Sequence, residues 1–193
     1  GGGGGRGGGW VGRSSSSSSL FAAAPDGSDR TRLSMAMLSN PTVDDFEWSP
    51  DSTRVAYRGE QDLVDTIELY SVNADGTGRS KINGPLAAGD DVVNFAWSPD
   101  GSRIAFGTGE TSIQVEELFS VNADGTGLTL LNGALAPGGE VEGFRWAADT
   151  DRLVYIADEA ALDRNVLYSI RGDGSDRLPI SSGGGTLRIW FAD

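Results

Sequence analysis

Ten carboxylates fall in the stretches that separate this chain's apolar runs: Glu60, Asp62, Asp65, Asp90, Asp91, Glu110, Glu140, Asp158, Glu159 and Asp163. Grouped carboxylates can attract a cationic partner segment, hold a divalent ion, or act as an acid–base pair on a glycosidic bond. Among them only Arg164 offers a clear counter-charge. A plainer reading is a solvated rim, because Asp and Glu number 28 against 15 Lys and Arg, for a formal charge of −13. No stretch carries a carboxylate pair that its neighbours lack, so acid–base hydrolysis has no distinctive pair to use. Attraction of a positively charged protein segment needs no such pair.

The other reactive residue types are scarce. His and Cys are absent, which excludes disulfides, thiolate metal sites, a Cys nucleophile and His-dependent triads. Neither a G-x-S-x-G elbow nor a phosphate-cradling glycine loop occurs. No cofactor is expected. Asn73, Asp75 and Gly76 match positions 3, 5 and 6 of a calcium loop, but position 1 would be Ser71 and position 12, which needs a bidentate Glu, is Ile82. The next occurrence fails likewise, at Ser120 and Leu131. These are turns, and no metal site is expected. Arg171-Gly-Asp173 spells an adhesive tripeptide, yet it aligns by period with Asn73-Ala-Asp75.

That period organises the whole chain. Trp48, Trp97 and Trp146 recur every 49 residues, each with a Phe two positions earlier at Phe46, Phe95 and Phe144. Leu69-Tyr-Ser-Val72, Leu118-Phe-Ser-Val121 and Leu167-Tyr-Ser-Ile170 keep the same step, and Leu20-Phe21 fits one period further back. Within residues 92–131 the pattern predicts four strands: Val92–Trp97, Arg103–Phe106, Glu117–Val121 and Leu128–Leu131. Ser98-Pro-Asp-Gly101 and Asn122-Ala-Asp-Gly125 punctuate them, because Asp and Asn support local turns and Gly supplies positive φ. A period near fifty with four strands per unit predicts an all-β propeller. Complete blades are expected at about 43–83, 92–132 and 141–181, with partial blades at 20–35 and 187–193. The Phe and Trp of each first strand differ by two and share a face. Their recurrence assigns them to blade packing rather than ligand stacking.

Antiparallel order then sorts the loops. Turns between the first and second strands, and between the third and fourth, are tight and open on one side. The remaining connections are long and open on the other: Gly59–Thr66, Gly107–Val115, Ala157–Arg164, Asn83–Asp91 and Asn132–Glu140. All ten carboxylates lie on these long connections. Functional residues gather on long loops held by a rigid scaffold, so this face is the expected partner-binding face.

The phrases WSPDG, IAF and LFSVNADGTG, with a following LL, resemble the TolB-type propeller repeat of bacterial envelope proteins. YRGEQDLVDTIELYSV and KINGPLAAGDDVVNF resemble a TolB-like group found in large bacterial secreted or surface proteins. The likeness covers about residues 20–180. It implies a binding platform rather than an enzyme, in the periplasm or outside the cell. Ala147-Ala-Asp-Thr150 departs from Ser-Pro-Asp-Gly, and a weaker turn is expected there. The function expected is a non-catalytic scaffold for protein–protein interaction. The alternatives are the accessory propeller of a prolyl-oligopeptidase-like serine peptidase and an acidic-funnel propeller that binds or hydrolyses glycans.

Residues 1–19 form a Gly/Ser-rich segment expected to be flexible, and 20–193 the propeller segment. Trp10-Val11 falls where a second strand would precede Leu20. The acidic balance disfavours nucleic acid and anionic membranes, and no apolar run approaches the roughly 20 residues of a membrane span. Third and fourth strands at the start, and a lone Leu187–Phe191 strand at the end, predict an incomplete propeller. Its open blade edges would favour self-association.

Overall fold

The computed structural model describes residues 19–35, 43–110, 115–159 and 164–181. Trp10-Val11, nearly all of the Gly/Ser-rich opening, Asp163 and Leu187–Phe191 lie outside the described residues. Among the described residues the regular elements are all strands. The chain divides into two compact units, Gly1–Lys81 and Ile82–Asp193.

The first unit holds a two-stranded sheet, β1 (Phe21–Ala22) and β2 (Thr31–Arg32). It also holds one antiparallel blade of β3 (Val43–Trp48), β4 (Arg54–Gly59), β5 (Glu68–Asn73) and β6 (Ser80–Lys81) in sequential order. The second unit holds two such blades. One is β7 (Asp91–Trp97), β8 (Arg103–Gly109), β9 (Glu117–Asn122) and β10 (Thr129–Leu130); the other is β11 (Val141–Trp146), β12 (Arg152–Ala157), β13 (Val166–Arg171) and β14 (Leu178–Pro179). Four-stranded propeller blades are therefore present where the period places them. The second strand of the middle blade runs on to Gly109, and its fourth is only two residues long.

Register explains the period. One inner-face row reads Phe46–Tyr57–Tyr70–Lys81 in the first blade, Phe95–Phe106–Phe119–Leu130 in the second and Phe144–Tyr155–Tyr168–Pro179 in the third. The central rings stack at 5.2, 5.4 and 5.1 Å between centroids, an offset geometry worth about 1 kcal/mol beyond area burial. Each first strand carries an irregularity at the same point, between Val43 and Asp45, Val92 and Asn94, and Val141 and Gly143. Such bulges bend a strand and re-aim its neighbours.

The tight turns close by the same backbone bond: Ser49, Ser98 and Ala147 N–H donate to Arg54, Arg103 and Arg152 O, all at 2.9 Å, and the first two add an inner bond, Ser52 N–H to Ser49 O at 2.8 Å and Gly101 N–H to Ser98 O at 2.9 Å. In the first two, the Ser hydroxyl donates to Asp51 or Asp100 at 2.6 Å and accepts from the Arg amide at 3.0 or 2.9 Å. Ala147 has no hydroxyl, and Arg152 N–H instead donates to Thr150 Oγ1 at 3.2 Å. The third turn keeps its closing bond, loses the hydroxyl-to-Asp bond and holds Arg152 N–H through Thr150 instead.

Blades stack through apolar faces. In the second unit Ala105, Leu118 and Leu131 pack with Trp146, Leu153, Tyr155, Tyr168 and Ile170, and Trp146 Nε1 donates to Ala96 O at 3.1 Å. In the first, Leu20 and Leu33 pack with Val55, Tyr57, Tyr70 and Val72, and Trp48 lies against that core. The small β1–β2 sheet thus relates to the blade after it as the middle blade relates to the third. The Asp-Gly turns repeat the relation. A Cβ on Gly76 (φ 81°) would come within 2.9 Å of Thr31, and one on Gly174 (φ 85°) within 2.6 Å of Thr129. Left-handed backbone and close approach together require glycine at both places.

Candidate interaction edge

Pairing fixes which loops share an edge. Gly59 pairs with both Val43 and Glu68, Asp91 with Gly109 and Thr108 with Glu117, and Ala157 with both Val141 and Val166. In every blade the second-to-third connection and the start of the first strand therefore lie together. The tight turns lie at the opposite edge, as the sequence predicts.

Carboxylates on the tight-turn edge are spent locally. Asp75 accepts from Thr77 N–H at 2.9 Å and its hydroxyl at 2.6 Å, and Asp173 accepts from Ser175 at the same two distances. Asp26 bonds to Ser28 in the same way. Hydroxyl bonds lead in holding Asp26, Asp51, Asp75, Asp100 and Asp173 below the ordinary carboxyl value. Arg54 and Arg103, unremarked in the sequence, tie these turns to the third strand. Arg103 donates to Ser120 at 2.8 Å, Asn122 at 2.6 Å and Gly127 O at 2.9 Å, and Arg54 repeats the pattern on Ser71, Asn73 and Gly78. Arg171-Gly-Asp173 is one of these turns. Its Arg pairs with Asp151 and Asp176 at 2.8 Å each, its Asp caps Ser175, and Gly172 packs against the Trp146 ring.

The long-loop edge of the first unit is different. Asp62 and Asp65 are exposed and Glu60 is half-buried, with Asp65 in the left-handed region at φ 56°. Lys81, the chain's one lysine, bonds inward to Glu68 at 2.8 Å and reaches Asp62 only at 3.8 Å. Glu68 is 2% exposed and also accepts from Tyr70 OH at 2.6 Å. Tyr57 OH donates to Gln61 Oε1 at 2.7 Å. Burial pushes both phenols well above their ordinary range.

In the second unit Asp90 and Asp91 are half-buried and Glu110 is exposed. Desolvation raises the Asp90 carboxyl, with further contributions from the charges of Glu110 and Asp91, so these three form one negative cluster. Glu140, Asp158 and Glu159 are built into the loop frame. Asp158 N–H donates to Glu140 O at 3.1 Å and Asp158 O accepts from Ala136 N–H at 2.8 Å. Glu159 accepts from Gly133 N–H at 2.7 Å and Tyr155 OH at 2.9 Å, and it pairs with Arg177. Of the ten expected residues, Glu159 is occupied internally and Asp158 is buried. Arg164 is exposed.

Gln61, Glu110 and Glu159 occupy one repeat position. Tyr57 and Tyr155 bond to theirs, whereas Phe106 has no hydroxyl to offer, and Glu110 is left to solvent. The sequence reading missed Asp44, which pairs with Arg58 at 2.9 Å, Glu142, bonded to Asn165, and buried Glu68. Asp44 and Glu142 sit at the recurring bulge, where alternation breaks. Among the described residues no group of three His, Cys, Asp or Glu side chains is placed to hold a metal ion.

No protein-family model and no curated protein sequence matches the chain. Solved structures do. A putative TolB from Agrobacterium tumefaciens superposes with a TM-score of 0.51 at 18% identity, covering 84% of this chain and 56% of that one. TolB from Acinetobacter baumannii gives 0.51 at 16% identity, covering 85% and 37%. The oligogalacturonate lyase of Vibrio parahaemolyticus gives 0.52 at 18% identity, covering 84% and 42%. The chain thus spans about half or less of each structure's length. At these identities the likeness concerns fold, and the fold is a TolB-like β-propeller.

Proposed function

We propose that this chain is a non-catalytic propeller scaffold whose long-loop edges receive a cationic segment of a partner protein. The contrast between its two edges carries the reading. Asp26, Asp51, Asp75, Asp100 and Asp173 cap their own turns, while Asp62 and Asp65 in the first unit and Glu110 in the second stand exposed, each on the long-loop edge of its own blade. Carboxylates so displayed steer positively charged partners and lose their hold as salt screens them. The TolB-like fold supports an envelope or extracellular setting for such a scaffold. The lyase shares that fold as well, so fold does not decide for or against chemistry.

The test uses the full chain and a fluorescent peptide rich in Lys and Arg. Binding should weaken as salt rises from 50 to 300 mM, and Asp62→Asn, Asp65→Asn and Glu110→Gln combined should weaken it about tenfold with Tm unchanged. If Asp75→Asn and Asp124→Asn had that effect instead, the assignment of edges would be inverted. Turnover of peptide, ester or glycoside substrates, abolished by one carboxylate substitution, would remove the non-catalytic reading.

A further inference from the structure

Leu63 and Val64 stand side by side in the middle of the long connection from β4 to β5, 56% and 64% exposed. Asp62 and Asp65 bracket them, and both are exposed as well. A lone exposed leucine is ordinary, whereas adjacent apolar side chains held clear of their own core mark a contact surface. Met35, 47% exposed, is tied to the base of this loop, where its N–H donates to Gln61 Oε1 at 3.0 Å.

The loop is pinned at both ends. At its start Gln61, 5% exposed, also accepts from Tyr57 OH at 2.7 Å. At its exit buried Glu68 accepts from Tyr70 OH at 2.6 Å and from Lys81 Nζ at 2.8 Å. The two phenol rings stack at 5.2 Å, so one aromatic pair fixes entrance and exit together. The other blades lack the groups for this. Phe106 and Phe119 carry no hydroxyl in the second, and Val166 takes the place of Glu68 in the third. Nor do they repeat Asp-Leu-Val-Asp, which becomes Thr111-Ser-Ile-Gln114 and Ala160-Ala-Leu-Asp163 at the same step. A surface ordered before contact loses little entropy on binding.

Charge selects the occupant. A second copy would bring the same two carboxylates, and at a formal charge of −13 this chain repels its like. An anionic bilayer is repelled on the same ground. Lys81 approaches Asp62 only to 3.8 Å, between exposed groups that solvent screens. A positively charged protein segment meets no such opposition. We propose, building on the scaffold reading, that this loop receives a basic partner segment in which an apolar residue lies between lysines or arginines. The apolar residue seats against Leu63 and Val64 while its flanking cations reach Asp62 and Asp65.

Two fluorescent peptides of equal length and charge test this against the full chain, one with Leu between its Lys residues and one with Ser there. The Leu peptide should bind at least about tenfold tighter. Leu63→Ser with Val64→Ser should erase that difference. The Ser peptide's affinity and the Tm should stay unchanged in that variant, since both side chains are exposed. Asp62→Asn with Asp65→Asn should weaken both peptides. Equal affinity for the two peptides, or a double-Ser variant that still prefers Leu, overturns the inference and leaves the cationic-partner reading standing. Binding of neither peptide overturns both. Cosedimentation with phosphatidylcholine vesicles, or a concentration-dependent dimer, lost in the double-Ser variant would give the loop to a membrane or a second copy and overturn it too.

Discussion

Tyr57, Tyr70, Tyr155 and Tyr168 set how this fold responds to alkali. Burial raises all four phenols, so the folded chain holds their protons more tightly than the unfolded one. Stability from this source is complete below the ordinary phenol value of 10.0 and is lost as pH climbs through the raised values. Lys81, raised chiefly by its bond to Glu68, adds the same sign. Melting temperature should therefore hold to about pH 10 and fall steeply above it. Tyr70→Phe should flatten that fall while lowering stability at neutral pH, because buried Glu68 loses the hydroxyl bond. A second residue-scale test concerns Gly172. A Cβ there would meet the Trp146 ring at 2.7 Å and Arg103 at 3.0 Å. Gly172→Ala should lower stability by about 1–3 kcal/mol in denaturant titration, as a packing glycine does and the glycine of a free adhesive loop does not.

At the scale of elements, the blade interface and the tight turns carry the fold. Trp146 is 9% exposed and joins two blades by both its ring and its indole N–H. Trp146→Phe keeps most of the burial and leaves Ala96 O without this donor, at a cost of about 1–2 kcal/mol. Trp146→Ala should cost about 3–5 kcal/mol. Equilibrium unfolding of both variants checks the order, and equal losses would assign the whole effect to the indole bond. The third tight turn offers a gain. Asp149 stands where Asp51 and Asp100 accept a Ser hydroxyl. Ala147→Ser should restore that bond and stabilise the chain by about 0.5–1.5 kcal/mol, read as a higher denaturant midpoint at unchanged slope.

For the whole molecule, charge governs behaviour. The sequence pI is about 4.3, and solubility should reach its minimum there, where net repulsion vanishes. The turn carboxylates of Asp26, Asp51, Asp75, Asp100 and Asp173 are held below their ordinary 3.8. Their contribution is present above that value and is lost as pH falls through the lowered ones. The precipitate at pH 4.3 should therefore be folded and dissolve on return to neutral pH with its native circular dichroism. Material that redissolves unfolded would show that the turns fail earlier than these bonds imply.

Much of this was legible before any coordinates. The 49-residue recurrence of Phe, Trp and the third-strand phrase determined a four-stranded blade, because a pleated strand puts alternate residues on one face and stacking repeats that face at each period. Asp-Gly and Ser-Pro-Asp turns determined the tight edge, since their preferences are local. What lay beyond reach depends on contacts distant in sequence. Periodicity marks Trp146 as apolar but cannot show its N–H ending on Ala96 O, 50 residues away. Nor can charge patterning separate Glu110 from Glu159, which share a repeat position. Only the packed blade decides that the Tyr155 hydroxyl, Gly133 amide and Arg177 guanidinium converge on Glu159, while Phe106 leaves Glu110 to water. An acidic side chain reads the same in sequence whether solvent or a buried phenol satisfies it, and tertiary structure chooses between them.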